Sequence, residues 1–215
     1  MQWKHLRIAT FYALLLPYSK RARNKRMRLF AALMGVREGM RILDLGGQPM
    51  IWESVPVRLN LTIVNLPGIA QQNAPSHHAI RYVEGDACAL EGLGEPTFDA
   101  VFSNSVIEHV GAAERRQAFA AAARRLGASY WVQTPSAWFP IEAHCGMPFW
   151  WLYPARVRQF FLARWRKNLP NWTRMVEETT VLGKAELQQL FPEATILTEK
   201  SLGIAKSYIA WFPGE

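Results

Sequence analysis

Seven side chains and one pair of glycines in this sequence have the types and positions that chemistry needs. Asp44-Leu45-Gly46-Gly47 closes one apolar run, Asn65 closes the next, Asp86 follows Gly85 after a third, and Asn104 ends a fourth. Glycines at such a place let the backbone turn tightly and approach a ligand, with a following helix N-terminus expected to face the site. Asn65 stands 21 residues after Asp44. A nucleotide-binding sheet places a side chain there to hydrogen-bond ribose hydroxyls. Asp86 is positioned to accept from an adenine amino group. Each residue also has a local reading. Asp44 could cap its turn, Asn65 could open the Pro67 turn, and Asp86 could cap a helix. Their joint occurrence at successive run ends favours ligand binding.

The remaining three are His109, Glu142 and His144. A hydroxyl acceptor gains from a general base, most often histidine, and the chain has five. His5 falls in a basic segment and His77-His78 in a polar connection, so these three are read as solvated. His109 follows the fourth apolar run. His144 stands two residues after Glu142, in a segment that leaves the fifth run and carries Trp138 and Phe139. His144 with Glu142 is the preferred base or positioning pair, and His109 is next. Bracing of their own loops is the competing role for Glu142 and His109. The two cysteines, Cys88 and Cys145, make no disulfide framework, and no Cys/His spacing suits zinc, so no metal site is expected.

These residues need a scaffold, and the chain alternates short apolar runs with helical patterns as a parallel α/β sheet does. Strands are expected at 41–46, 60–65, 80–84, 98–103 and 128–133, with closing strands at 194–199 and 204–211. Helices are expected at 112–126 and 184–191, and Pro154 can open another. In such sheets ligands sit outside the carboxyl ends of the strands, where the polar residues above fall.

The chain has 215 residues, half of them hydrophobic, which excludes disordered, collagen-like and low-complexity classes. Its net charge of +8 is local. Residues 1–28 hold eight cations and no acid, residues 156–174 hold six more and no acid, and the rest carries 11 cations against 17 acids. The apolar run Ile8–Tyr18 is too short to span a bilayer and no cleavage site follows it, so a retained basic helix is expected, in a cytoplasmic protein. Residues 149–172 interleave eight aromatics with the second set of cations. They form either a lid over a site or an interfacial element on an anionic membrane. Single-stranded nucleic acid would suit the same interleaving but ranks below it.

The series Ile42-Leu-Asp-Leu-Gly-Gly47, Ile63-Val-Asn-Leu66, Val83-Glu-Gly-Asp-Ala87, Phe98-Asp-Ala-Val-Phe102 and Ile107-Glu-His-Val110 resembles the motif ladder of class I S-adenosylmethionine-dependent methyltransferases. The Ile-Glu-His-Val segment is similar to the branch that includes ubiquinone-biosynthesis-type enzymes. The likeness covers about residues 38–135 and 180–211. It implies an α/β, Rossmann-like doubly wound, mostly parallel seven-stranded sheet with helices on both faces. It further implies that S-adenosylmethionine lies against Asp44, Gly46, Gly47, Asn65, Leu66, Asp86, Ala87, Asn104 and Ser105. Two departures stand out: Gln48 and Met50 replace two glycines of the family's loop, and Asn65 replaces its ribose-binding acid, losing charge-assisted strength.

The organisation expected is a basic helical segment at 1–37 and a methyltransferase domain at 38–215, with 136–180 inserted as an acceptor-site or lid region. The activity implied is methyl transfer to a small-molecule acceptor, foremost at oxygen, with a lipid-linked compound or a sugar among the candidates. Competing readings are an RNA methyltransferase and a non-catalytic binder of the same fold. A nicotinamide-dependent oxidoreductase would want Gly-x-Gly-x-x-Gly, which Gly46-Gly47-Gln48 fails.

Overall fold

The structure, a computed structural model, describes residues 2–69, 75–90, 98–142 and 144–214, with the side chains of residues 2–16 left out. Seven strands form one sheet in the order β3-β2-β1-β4-β5-β7-β6. They are β1 (Arg41–Leu45), β2 (Asn60–Asn65), β3 (Ala79–Glu84), β4 (Ala100–Asn104), β5 (Tyr130–Pro135), β6 (Thr195–Ser201) and β7 (Ile204–Phe212). The first five run parallel, and β7 lies antiparallel between β5 and β6. Parallel strands covered on both faces read as continuous apolar runs, and β1 is buried from Ile42 to Leu45. The expected fold class and most strand limits are met to within two residues.

The register fixes the functional edge. Leu45 stands opposite Val64, Asn65 opposite Glu84, and Asn104 opposite Gln133. The Gly46-Gly47 turn, Asn65, Asn104 and Gln133 therefore share the carboxyl edge of the sheet.

Helix α1 (Gln2–Leu33) and a 3₁₀ helix at Pro49–Ser54 cover one face. The helix expected directly after Gly46-Gly47 is absent; the short 3₁₀ helix takes its place. Residues 46–59 must hold the turn, this helix and the return to β2, and Pro49 takes the helix's first position, where a missing backbone donor is tolerated. The last third of α1 fills the space instead. Phe30 packs edge-on against Trp52, Phe102 and Trp131 at centroid distances of 5.7, 5.0 and 5.7 Å. Burying such a side chain stabilises the fold by roughly 1.5–3 kcal/mol. Helices α2 (Ala113–Leu126) and α5 (Lys184–Leu190) cover the other face through Phe119, Ala123, Leu126 and Leu187. Between β5 and α5, helices α3 (Ala155–Arg166) and α4 (Pro170–Glu178) pack around Trp150, Leu162 and Val176, a small core of their own.

Candidate active site

At the β1–β3 edge the polar side chains have settled partners. Asp44 is fully buried, and its Oδ2 accepts a 2.7 Å hydrogen bond from Trp52 Nε1. Its Oδ1 has no partner among the described residues. Burial pushes its carboxyl up to about 7 against the smaller opposing effect of Trp52. Gly46 has φ +75°, and a Cβ there would lie 2.7 Å from Val106; a Cβ on Gly47 would collide with the Asp44 carboxylate. Glycine is therefore required at Gly46 by space and by conformation, and at Gly47 by space. Asn65 Nδ2 donates to the Gly47 carbonyl at 3.1 Å and so ties the second strand to the turn. Asp86 accepts from the Cys88 amide at 2.9 Å and from Arg115 at 2.8 Å. Burial alone would raise its carboxyl, but those partners outweigh it and hold it low. Leu66 is exposed, and Ala87 is half-buried against the core.

Two of the three histidines read as solvated can be placed. His77 Nε2 donates to the Val55 carbonyl at 2.9 Å and its residue stays exposed. His78 is buried: Nδ1 accepts from the Leu59 amide, and Nε2 donates to the Trp52 carbonyl at 3.0 Å. That corrects the solvated reading of His78. The connection folds back under the 3₁₀ helix and brings the ring to two backbone groups that need partners. The side chain of His5 lies outside the described residues.

The catalytic candidates come together. His144 Nδ1 is 2.6 Å from Glu142 Oε1, and His144 Nε2 is 3.1 Å from His109 Nε2. Glu142 Oε2 accepts from the backbone amides of His144 and Cys145. Glu142 thus braces its loop and orients the histidine at once. Burial opposes charge on His144, but the bond to Glu142 and its negative charge raise its pKa overall. Burial likewise works against the Glu142 carboxylate, and His144 with the Cys145 amide brings it below the usual range. His109 Nδ1 lies 3.2 Å from Thr179 Oγ1; desolvation of the ring nitrogens and then His144 bring its pKa down to about 4. The ring most ready to carry a proton therefore stands beside one held neutral.

Glu108, which sequence reading passed over, lies behind this pair. It is fully buried, accepts from Thr134 Oγ1 at 3.2 Å, and is pushed by burial to about 7. Glu108, His109 and His144 bring ligand atoms within 4.8 Å of one another, a grouping that could hold a cation. Spacing rules for zinc could not find it, because the residues come from two separate segments. The Nε2 contact between the histidines would have to break for a cation to enter.

Beside these groups, the β4–β5–β7 edge encloses a cavity of about 560 Å³. Asn104, Ser105, Gln133, Ser136 and Glu142 contribute polar groups to its wall, and Phe139, Ile141 and Trp151 contribute apolar ones. Ser105 has φ +58°, and its Oγ donates to Gln133 Oε1 at 3.0 Å. Arg26 reaches in from α1, 6% exposed, and bonds Glu199, Asn104 and Gln133. Neither Arg26 nor Gln133 was legible as a site residue. Arg26 sat within a basic run, and its partners lie 78 to 173 residues away.

A family model described as a methyltransferase domain matches residues 61–128. Solved structures similar to the chain include methyltransferases. One is phosphoethanolamine N-methyltransferase 2 of Haemonchus contortus with S-adenosyl-L-methionine, at 14% identity and TM-score 0.55, covering 82% of this chain and 38% of that one. Another is an O-methyltransferase family protein from Burkholderia thailandensis, at 12% identity and TM-score 0.52, covering 99% and 61%. A third is the N-terminal domain of EvdMO1 in the presence of S-adenosylhomocysteine and D-fucose, at 16% identity and TM-score 0.51, covering 88% and 82%. At these identities the likeness is one of fold, and the chain spans less than two thirds of the length of the first two. No curated protein sequence matches it.

Proposed function

We propose that the chain is a class I methyltransferase that moves a methyl group from S-adenosylmethionine to an oxygen of a small-molecule acceptor, a reading supported by its sheet order and by the methyltransferase-domain match over residues 61–128. When bound, S-adenosylmethionine supplies an activated methyl group on a sulfonium. The protein's share is to position the partners, exclude water and move a proton. The residues at the β1–β3 edge fit that group. An orphaned, buried carboxylate oxygen on Asp44 lies beneath two glycines whose Cβ positions are already filled, which suits a ligand carrying positive charge. Asn65 and Leu66, Asp86 and Ala87, and Asn104 and Ser105 stand at the next strand ends to hold the rest. Asp86 would share its carboxylate between Arg115 and the ligand.

The observation that carries the acceptor side is the 2.6 Å bond between Glu142 and His144 beside the cavity wall. Glu142 fixes the His144 ring and stabilises its charged form. An acceptor hydroxyl taking the place of His109 at His144 Nε2 could pass its proton there, a contribution of typically 10²–10⁴-fold. His109 is the alternate base. Incubation with labelled S-adenosylmethionine over a panel of phenols, sugars and lipid-linked hydroxyl compounds tests the reading. The expected product carries one O-methyl group. Methylation confined to nitrogen, carbon or RNA contradicts it, and cofactor binding without transfer to anything makes the chain a binder.

A second reading concerns where the acceptor is met. Trp138 and Leu202 are 63% and 99% exposed beside the cavity, and Phe160 is 64% exposed on α3 among the exposed Arg156, Arg164 and Lys167. Exposed aromatics with cations suit an anionic membrane surface, approached from the side where the protein is made. No helix among the described residues is long and apolar enough to cross a membrane, so such contact would be peripheral. Sedimentation with anionic vesicles at low salt, lost with neutral vesicles, is the expected result; indifference to both ends this reading.

A further inference from the structure

We infer that the cavity at the β4–β5–β7 edge selects an acceptor that carries an anionic group, a carboxylate or phosphate, on an apolar body. The inference deepens the methyltransferase reading and rests on it for the word acceptor, but the anion preference stands on the cavity alone.

The wall carries three cations, Arg23, Arg26 and Lys206. Glu199 is the one carboxylate placed among them. Its Oε2 is 2.6 Å from Arg26 Nη2, and its Oε1 is 3.9 Å from Lys206 Nζ. Glu199 lies outside the lining; the acid of the wall itself, Glu142, has its oxygens committed to His144 and to the His144 and Cys145 amides. Arg23 has no hydrogen bond or ion pair among the described residues. Glu199 serves both Arg26 and Lys206 and Glu142 is turned to His144, so three positive charges meet two negative ones and Arg23 is left without a carboxylate. Lys206 registers this crowding. Burial lowers its pKa first; Glu199 opposes, and Arg26 and Arg23 lower it further.

Like charges held together away from water are costly unless something pairs with them. The protein's own groups pair Arg26 and Lys206 through a single carboxylate and leave Arg23 unmatched among the described residues. A bound anion would supply the missing charge and accept charge-assisted hydrogen bonds from Arg23 and Lys206. Phe139, Ile141 and Trp151 form the apolar part of the same wall. The complementary ligand therefore has an acidic group at one end and an apolar or aromatic body at the other.

The test is titration of the full chain with three minimal probes: benzoate, phenyl phosphate and the neutral benzamide. A hydrogen bond to a charged group is worth about 1.5–3 kcal/mol, so at least one anionic probe should bind about tenfold or more tighter than benzamide. Whichever anion binds tighter tells carboxylate from phosphate. The preference should shrink several-fold in Arg23→Gln and in Lys206→Gln, and should fade as salt is raised. Melting curves of the two variants show that they are folded. Equal binding of all three probes, binding of none, or a preference that survives both substitutions would overturn the inference. Titration with S-adenosylhomocysteine in parallel keeps the readings apart: its failure would damage the methyltransferase assignment while leaving the anion preference to stand or fall on the probes.

Discussion

At the β1–β3 edge, polar residues are held mostly by near neighbours in sequence. Asp44 meets Trp52, Asn65 meets Gly47, and Asp86 meets Cys88. At the β4–β5–β7 edge the ties are long. Arg26 spans 173 residues to Glu199 and 107 to Gln133, and His144 reaches back 35 to His109. The first edge is shaped by glycines and a 3₁₀ turn into a tight backbone cradle. The second is an open cavity walled by side chains from α1, β4, β5, β7 and the segment after β5. The difference separates a site built for one fixed ligand from one whose specificity depends on distant parts of the chain. Substitutions at the two edges should therefore fail in different ways.

The largest effect is expected at His144. His144→Ala should lower turnover by about 10²–10⁴-fold while leaving S-adenosylhomocysteine affinity intact, as steady-state rates and titration would read. The pH profile carries the sign. A base must be neutral, and Glu142 raises the pKa of His144, so the rate should fall as pH drops through that raised value. Glu142→Gln removes the raising partner, and the acid limb should move to lower pH as the maximal rate falls. An unmoved limb would show that Glu142 only braces its loop.

Next in size is the burial of Asp44. Its folded pKa, about 7, lies above the ordinary carboxylate value, so the folded state binds the proton more tightly. Stability should fall as pH rises from about 4 to about 7, at up to roughly 1.4 kcal/mol per pH unit. Urea midpoints measured across that range in Asp44→Asn should lose this slope. A cation bound at the Asp44 oxygen would favour the ionised form, so S-adenosylmethionine should flatten the slope in the parent.

At the other edge, Arg26→Met strips Glu199 of its main partner. Breaking a buried pair from one side costs about 3–5 kcal/mol, and the remaining bond to Ser207 puts this case near the lower figure. Urea unfolding reads it. A loss below about 1 kcal/mol would mean that α1 is not built into the second site. The smallest effect belongs to the ion pair of Asp86 with Arg115, both partly exposed. Asp86→Ala should cost no more than about 1 kcal/mol of stability. If Asp86 also holds the cofactor, the same variant should weaken S-adenosylhomocysteine by roughly 1.5–3 kcal/mol.

The sheet was legible because its strands are apolar runs closed by polar or glycine residues, a period that needs no partner to recognise. Asp44, Gly46 and Gly47 were legible for the same reason: a turn that tight can be made by few residues. The helix expected after Gly47 is replaced by a 3₁₀ helix in the short span to Asn60, and α1 supplies the cover on that face. Glu142 and His144 were visible through their spacing, but the His109 contact depends on where the segments after β4 and β5 converge. Arg26 was hidden in a run of cations most of whose described members are exposed. Glu108 stood in the Ile107–Val110 segment without a role of its own, and its full burial is set by the fold.

The most direct measurement is isothermal titration of S-adenosylhomocysteine into three proteins side by side: the parent, His144→Ala and Gly47→Ala. A Cβ at residue 47 would strike the Asp44 carboxylate and deform the cradle, whereas His144 belongs to the other edge. The account predicts one site of equal affinity in the parent and in His144→Ala, and binding lost or weakened at least tenfold in Gly47→Ala. Undiminished binding by Gly47→Ala, or binding absent from the parent, would contradict it.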